Sequence, residues 1–330
     1  MKNRERFVRT LNFEKVEDRL PMIEWADWWD KTLDRWHGEG LRSDLGTEEL
    51  REYLGLDMVR QFWLRPYKKT FWEARKVIKI HGMDDYKRLK EHIHVENLIE
   101  GLRARLLSLK EIHDRGDAVV WMTLEGFFWF PRELMGIEEH MYAFYDYPEV
   151  MHAINEDLCE YNIRLVEEFC SILRPDFMTF AEDMSYNLGP MLSHTLFKEF
   201  LLPYYNKIIP VIKKYGITPI VDSDGNVESM VPWLIEAGIE GILPLERQAG
   251  TDLAEIRRKY PNFKMIGGYD KMVMDKGEEA MRREFERLLP VMKSGGYIPS
   301  CDHQTPPAVS LEDYRLYLRL LEEYCRKAVE

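Results

Sequence analysis

Thr218-Pro-Ile-Val-Asp-Ser-Asp-Gly-Asn226 is a short, mostly apolar run followed at once by two carboxylates and a glycine. A run this short, bounded by turn residues, reads as a strand buried on both faces. The same layout recurs on either side of it. Asp176–Ala181 runs into Glu182-Asp183, and Gly241–Leu245 into Glu246-Arg247. Lys264–Gly268 leads to Asp270-Lys271, and Tyr297–Ser300 to Cys301-Asp302-His303. Upstream, Ala118–Leu124 leads to Glu125-Gly126. Two further runs, Leu20–Trp25 (carrying Glu24, with Asp27 just beyond) and Asp57–Gln61, complete eight strands. Helical stretches separate them: 149–173, 194–214, 228–237, 252–259, 277–293 and 310–328, after a first helix at 3–12 capped by Asn3. Ser310, with Asp313 three residues on, forms an approximate capping box.

Strands alternating with helices imply a parallel sheet. Eight such units predict closure into a (β/α)8 TIM barrel, one domain over residues 1–330. Residues 62–80 alternate in polarity and are expected as a hairpin excursion within it. The competing open, doubly wound sheet usually carries a glycine-rich phosphate turn after its first strand. Here that turn is Trp25-Ala-Asp-Trp-Trp29, without glycine.

Hydrophobic residues make up 45% of the chain, enough for a sizeable core. The formal charge of −12 argues against nucleic acid or anionic lipid as the main partner. The charged opening and the lack of a long apolar run predict neither a signal peptide nor a membrane span. Four cysteines form no disulfide framework, which fits a reducing cytoplasm. A small-molecule substrate and a homodimer are the expected partners.

A barrel carries its chemistry just past the strand C-termini, and that is where the acids collect. Loops are polar in any protein, which accounts for single acids better than for the whole set. Asp222-x-Asp224 and Cys301-x-His303 share i, i+2 spacing, which places each pair on one side of a continuing strand. Carboxylate, thiolate and imidazole are metal ligands; Asp-Ser-Asp-Gly is equally an ordinary turn. Cys159, Cys170 and Cys325 lie in amphipathic helices and read as packing residues. Trp25, Trp28 and Trp29, with Phe127, Phe128, Trp129 and Phe130, concentrate aromatics near the first and third strand ends, as core or as the wall of a pocket for a flat or cationic ligand. Neither a G-x-S-x-G elbow nor a Walker loop is present.

Asn3-Arg-Glu-Arg-Phe7 and Glu17-Asp-Arg-Leu-Pro21 resemble the opening signature of the uroporphyrinogen decarboxylase superfamily. Phe180-Ala-Glu-Asp183 and Pro203-Tyr-Tyr205 resemble its middle. Asp222–Asn226, Glu236–Gly241, Gly267–Lys271 and Gly295–Pro299 resemble its C-terminal half, so the resemblance spans nearly the whole chain. It implies the same barrel, with its site at the strand C-termini. Decarboxylases of the superfamily bind a polyanionic tetrapyrrole with arginines after the first strand. The matching segment here, Met22–Trp29, holds Glu24 and Asp27 and no arginine. A second branch comprises cobamide-dependent methyltransferases, several of which use zinc. The H-x-C of its thiol-methylating members falls on Asp222-x-Asp224, and their later cysteine on Cys301.

The leading expectation is therefore transfer of a methyl group from a small donor to a corrinoid protein, with zinc as a candidate cofactor. Asp222, Asp224, Cys301 and His303 form the expected ligand set. Glu182, Asp183 and His303 are the expected catalytic groups, and Glu24, Trp25, Trp28, Glu125 and Glu246 the expected substrate contacts. The alternatives are a metal-free decarboxylase acting on a tetrapyrrole or other acid, and a non-catalytic barrel that kept its ligand pocket.

Overall fold

The computed structural model describes residues 1–330. Its centre is one seven-stranded parallel sheet in which each strand pairs with the next in sequence. The strands are β1 Val59–Leu64, β2 Val119–Glu125, β3 Phe177–Ala181, β4 Thr218–Asp222, β5 Gly241–Leu243, β6 Lys264–Tyr269 and β7 Tyr297–Cys301. Successive side chains alternate between faces. On one face Val59, Val119, Trp121, Phe177, Ile220, Leu243, Ile266 and Ile298 meet in a shared inner core. On the other, residues such as Phe62, Met122, Phe180, Val221 and Tyr297 pack against the helices. All seven strands thus contribute to a common interior, as a curled α/β sheet requires.

Helix Asn3–Leu11 closes the N-terminal end of that interior. Phe7 and Leu11 enter the inner core, and Phe7 stacks on Phe177 with ring centroids 5.0 Å apart. Arg4 N donates to Gly116 O, and Gly296 N to Thr10 O, which fastens the helix beside the starts of β2 and β7. Asn3 is the first helical residue rather than the cap; its side-chain amide donates to Asp117 O instead. With this end plugged, the opposite end is left for ligands.

Further sequence expectations are corrected. Leu20–Trp25 forms no regular strand and reaches a bend at Trp25. It is held by single bonds: Asp57 N to Met22 O, Trp25 N to the Ser300 hydroxyl, and Cys301 N to the Glu24 carboxylate. Side-chain bonds in place of a ladder account for the missing eighth strand. Residues 62–80 are not a hairpin. Residues 62–64 complete β1 in register with β2, ending at Leu64↔Leu124, and Phe71–Val77 is a helix with Phe71 fully buried. Residues 62–64 run buried, exposed, buried at the strand's end, and the short helix that follows buries Phe71. The expected helix 194–214 is two, His194–Phe200 and Leu202–Lys214, while the Ser310–Asp313 capping box is present as read. No helix is long and apolar enough to cross a membrane.

Candidate functional site

Strand alternation decides which strand-end groups reach the interior. Above the inner apolar layer, Gln61 donates to Thr123 at 2.8 Å, Thr123 and Thr179 share a bond of 2.9 Å, and Trp121 Nε1 donates to Thr179 at 2.8 Å. This polar belt satisfies its own groups. Two residues further along β2 and β4 stand Glu125 and Asp222, on the same face as Thr123 and Ile220. Glu125 is 1% exposed; its Oε1 accepts from Trp63 Nε1 at 3.1 Å, and its Oε2 has no partner. Burial pushes its carboxyl up to about 7. Asp222 is pushed well above the usual carboxylate range by burial, then by the charges of Asp224 and Asp183.

Past β4 the chain turns through Gly225, whose φ of +83° suits glycine and whose added Cβ would lie 2.7 Å from the backbone of Tyr186. The turn delivers Asp224 to Glu246 and His303, and ligand atoms of the three all lie within 4.8 Å of one another. His303 Nε2 is 3.6 Å from Asp224 Oδ2, and Asp224 Oδ1 is buried without a partner. Glu246 Oε2 accepts from Gly225 N at 2.9 Å. The Asp224 carboxylate raises the His303 imidazole above its ordinary range, against burial. Trp25 packs edge-on to His303, 5.8 Å between centroids, and its Nε1 donates to Cys301 O.

Asp302, fully buried, fixes this arrangement from below. Its carboxylate accepts from the backbone of Arg247 at 2.9 Å and of Lys271 at 3.1 Å, joining the ends of β5, β6 and β7. Asp183 adopts φ +37°, a region a non-glycine residue enters at a cost. Arg132 holds it there, donating to its carbonyl at 2.9 Å and to its carboxylate at 3.1 Å. Burial, then Asp224, raises the Asp183 carboxyl.

The structure therefore brings together Asp224 and His303 of the expected ligand set, and adds Glu246, which the sequence placed against substrate. Asp222 and Cys301 lie outside that cluster. Cys301 falls on the helix-facing side of β7, one residue out of phase with Ser300, where burial raises its thiol well above the ordinary value. Glu24 is buried with both oxygens engaged by Ser300, Tyr314 and Cys301 N. Trp28 packs among Trp36 and Tyr314 in the core. Glu182 also faces outward: Phe127, Phe128 and Trp129 donate backbone N–H groups at 2.8, 2.7 and 3.2 Å, and Tyr205 Oη donates as well. Gly126 allows this approach, since a Cβ there would lie 2.2 Å from Glu182 Cδ. Arg132 had no sequence signal beyond being a lone cation in an aromatic stretch.

Carboxylates and a histidine gathered at the C-terminal ends of a curled parallel sheet define an α/β protein of TIM-barrel-like type with its site in the usual place for that architecture. The chain belongs to the uroporphyrinogen decarboxylase family: the family's model, uroporphyrinogen decarboxylase (URO-D), matches residues 75–324. Among solved structures it is similar to a methyltransferase from Methanosarcina mazei, with 14% identity, a TM-score of 0.67, and 98% of this chain and 99% of that one covered. A putative vitamin-B12 independent methionine synthase from Listeria monocytogenes is 13% identical with a TM-score of 0.45, covering 94% of this chain and 98% of that one. No curated protein matches by sequence.

Proposed function

We propose that this protein is a methyltransferase that moves a methyl group from a small donor to a corrinoid carried by a partner protein, assisted by a divalent cation. The observation that carries the reading is the Asp224–Glu246–His303 cluster at the open end of the sheet. One imidazole and two carboxylates suit zinc or a similar ion with nitrogen and oxygen preference. The orphaned, buried Asp224 Oδ1 fits such an ion, because a buried carboxylate oxygen without a partner is costly. The same reading takes the sheet as a closed (β/α)8 barrel with Leu20–Trp25 as its eighth stave.

When bound, the cation supplies Lewis-acid polarisation of the heteroatom bearing the methyl group, and the partner's corrinoid supplies the nucleophile. The chain's own residues do the rest. Asp302 fixes the loop from which His303 projects, so the imidazole is positioned before any ligand arrives. Asp183, held by Arg132 and with its carboxyl raised by burial and by Asp224, is the group assigned to protonate the departing heteroatom as the carbon–heteroatom bond breaks. Trp25, against His303, forms part of the wall.

Support comes from the family and from the fold shared with the M. mazei methyltransferase, which makes methyl transfer the first reaction to assay. A tetrapyrrole with many carboxylates finds few free cations here, because Arg132 is already paired with Asp183 and Lys271 lies against Asp302 and Glu246. The test is metal analysis of the purified protein with methyl transfer to cob(I)alamin from methanol, methylamines, methanethiol and methoxyarenes. The parent is expected to hold about one divalent ion per chain, and Asp224→Ala to lose both ion and turnover while keeping its circular dichroism. A metal-free parent that methylates cob(I)alamin from none of these donors overturns the proposal.

A further inference from the structure

Glu125 and Asp222 face the interior but stand apart from the Asp224–Glu246–His303 cluster. Register relates them closely: Glu125 pairs with Ala181, and Ala181 with Asp222. Neighbouring strands are about 4.8 Å apart, so the two backbones stand about 10 Å apart with only the Ala181 methyl between them. In register, the two carboxylates therefore flank Ala181 on the same face as the Thr123–Thr179 pair.

Glu125 lacks the partner its burial calls for, and Asp222, partly exposed, has no side-chain partner either. Glu125 is 1% exposed, and its Oε2 is buried with no hydrogen bond; Trp63 Nε1, bound to the other oxygen, fixes the side chain. Asp222 receives no hydrogen bond from the protein, and its nearest charges, Asp224 and Asp183, are of its own sign. The cations at hand are engaged elsewhere. Arg132 is bound to Asp183, and Lys271 bonds Gln248 and lies near Asp302 and Glu246. Arg65 stacks over the Trp63 ring, 4.3 Å from its centroid; its charge partly offsets the burial of Glu125 without a hydrogen bond to it. A buried carboxyl in this state either keeps its proton or is held ionised by a ligand that brings positive charge. An anionic ligand offers neither carboxylate a counter-charge. Trp63 and Trp25, on the rim, supply aromatic surface suited to an alkylated cation.

We infer that the substrate carries a cationic nitrogen, a small alkylammonium group seated over Ala181 between Glu125 and Asp222. This rests on the proposed function only in taking the open end of the sheet as the active site. Neither the metal nor the methyl transfer is needed for it.

The test is calorimetric titration of the full chain, zinc-loaded and EDTA-treated, with choline, its neutral isostere 3,3-dimethylbutan-1-ol, and the anion 3,3-dimethylbutanoate. Choline is expected to bind at least about tenfold more tightly than the alcohol, with the carboxylate weakest. Glu125→Gln retains an acceptor for Trp63 and is expected to remove most of that preference without changing zinc content. Asp222→Asn is expected to act in the same direction. Equal affinity for choline and the alcohol, tighter binding of the carboxylate, or a choline preference that survives both substitutions overturns the inference. Zinc lost in Asp224→Ala alongside absent choline preference would sink this inference and leave the proposed function standing. Choline preference without metal or methyl transfer would do the reverse.

Discussion

Glu182→Ala is expected to destabilise the fold by roughly 3–5 kcal/mol, the cost of removing one partner from a buried charged network. The carboxylate is fully buried and takes hydrogen bonds from three consecutive backbone N–H groups, Phe127 to Trp129, and from the Tyr205 hydroxyl. Those N–H groups belong to the start of helix Trp129–Met135, which has no capping side chain of its own. Alanine would strand all four donors in a site that water cannot refill without opening the core. Tyr205→Phe removes a single donor and is expected to cost about 1–2 kcal/mol. Urea unfolding of the two variants measures both effects. A Glu182→Ala protein as stable as the parent would show that these bonds are not what holds β3 to the helix. The sequence places Glu182 among the catalytic groups; a variant that loses activity with unchanged stability would restore it to that role.

Much of this architecture was legible from short apolar runs that end in acids. The seven strands lie where such runs stand, because both faces of a curled sheet are buried and the pattern is nearly continuous. The eighth run failed for a reason the pattern does not carry. Leu20–Trp25 is apolar enough for a strand, but its bonds to β7 go through Glu24 and Ser300 side chains rather than a backbone ladder. At the site, type and spacing identified acids at strand ends, yet phase decided their roles. Glu125 and Asp222 fall on the inner face, whereas Glu182 and Cys301, one residue out of phase, face the helices. The Cys301-x-His303 spacing suggested a shared side, but β7 ends at Cys301, and the chain turns before His303. Glu246 joined Asp224 and His303 because the Gly225 turn and the β5 loop converge in space, which no local spacing records.

The pH dependence of stability should expose Glu125. Burial raises its carboxyl from an ordinary value of 4.5 to about 7. Between those values the native state holds the proton and the unfolded chain does not, so native protein binds more protons. Stability from this group is therefore fully present below pH 4.5 and is lost as pH rises through 7. A separation of about 2.5 units corresponds to roughly 3 kcal/mol. Glu125→Gln cannot ionise, keeps the Trp63 bond, and removes that slope. Denaturant unfolding at pH 5 and pH 8 is expected to favour the variant over the parent by roughly 2–3 kcal/mol more at pH 8 than at pH 5. The comparison cancels the other titrating groups, which both proteins share. A bound alkylammonium should act against the slope, because it holds Glu125 ionised and so binds more tightly at pH 8 than at pH 5. Parallel stability profiles for parent and variant would mean that Glu125 titrates in the ordinary carboxylate range, with its Oε2 hydrated or paired. The position over Ala181 would then offer a cation much less than its burial implies.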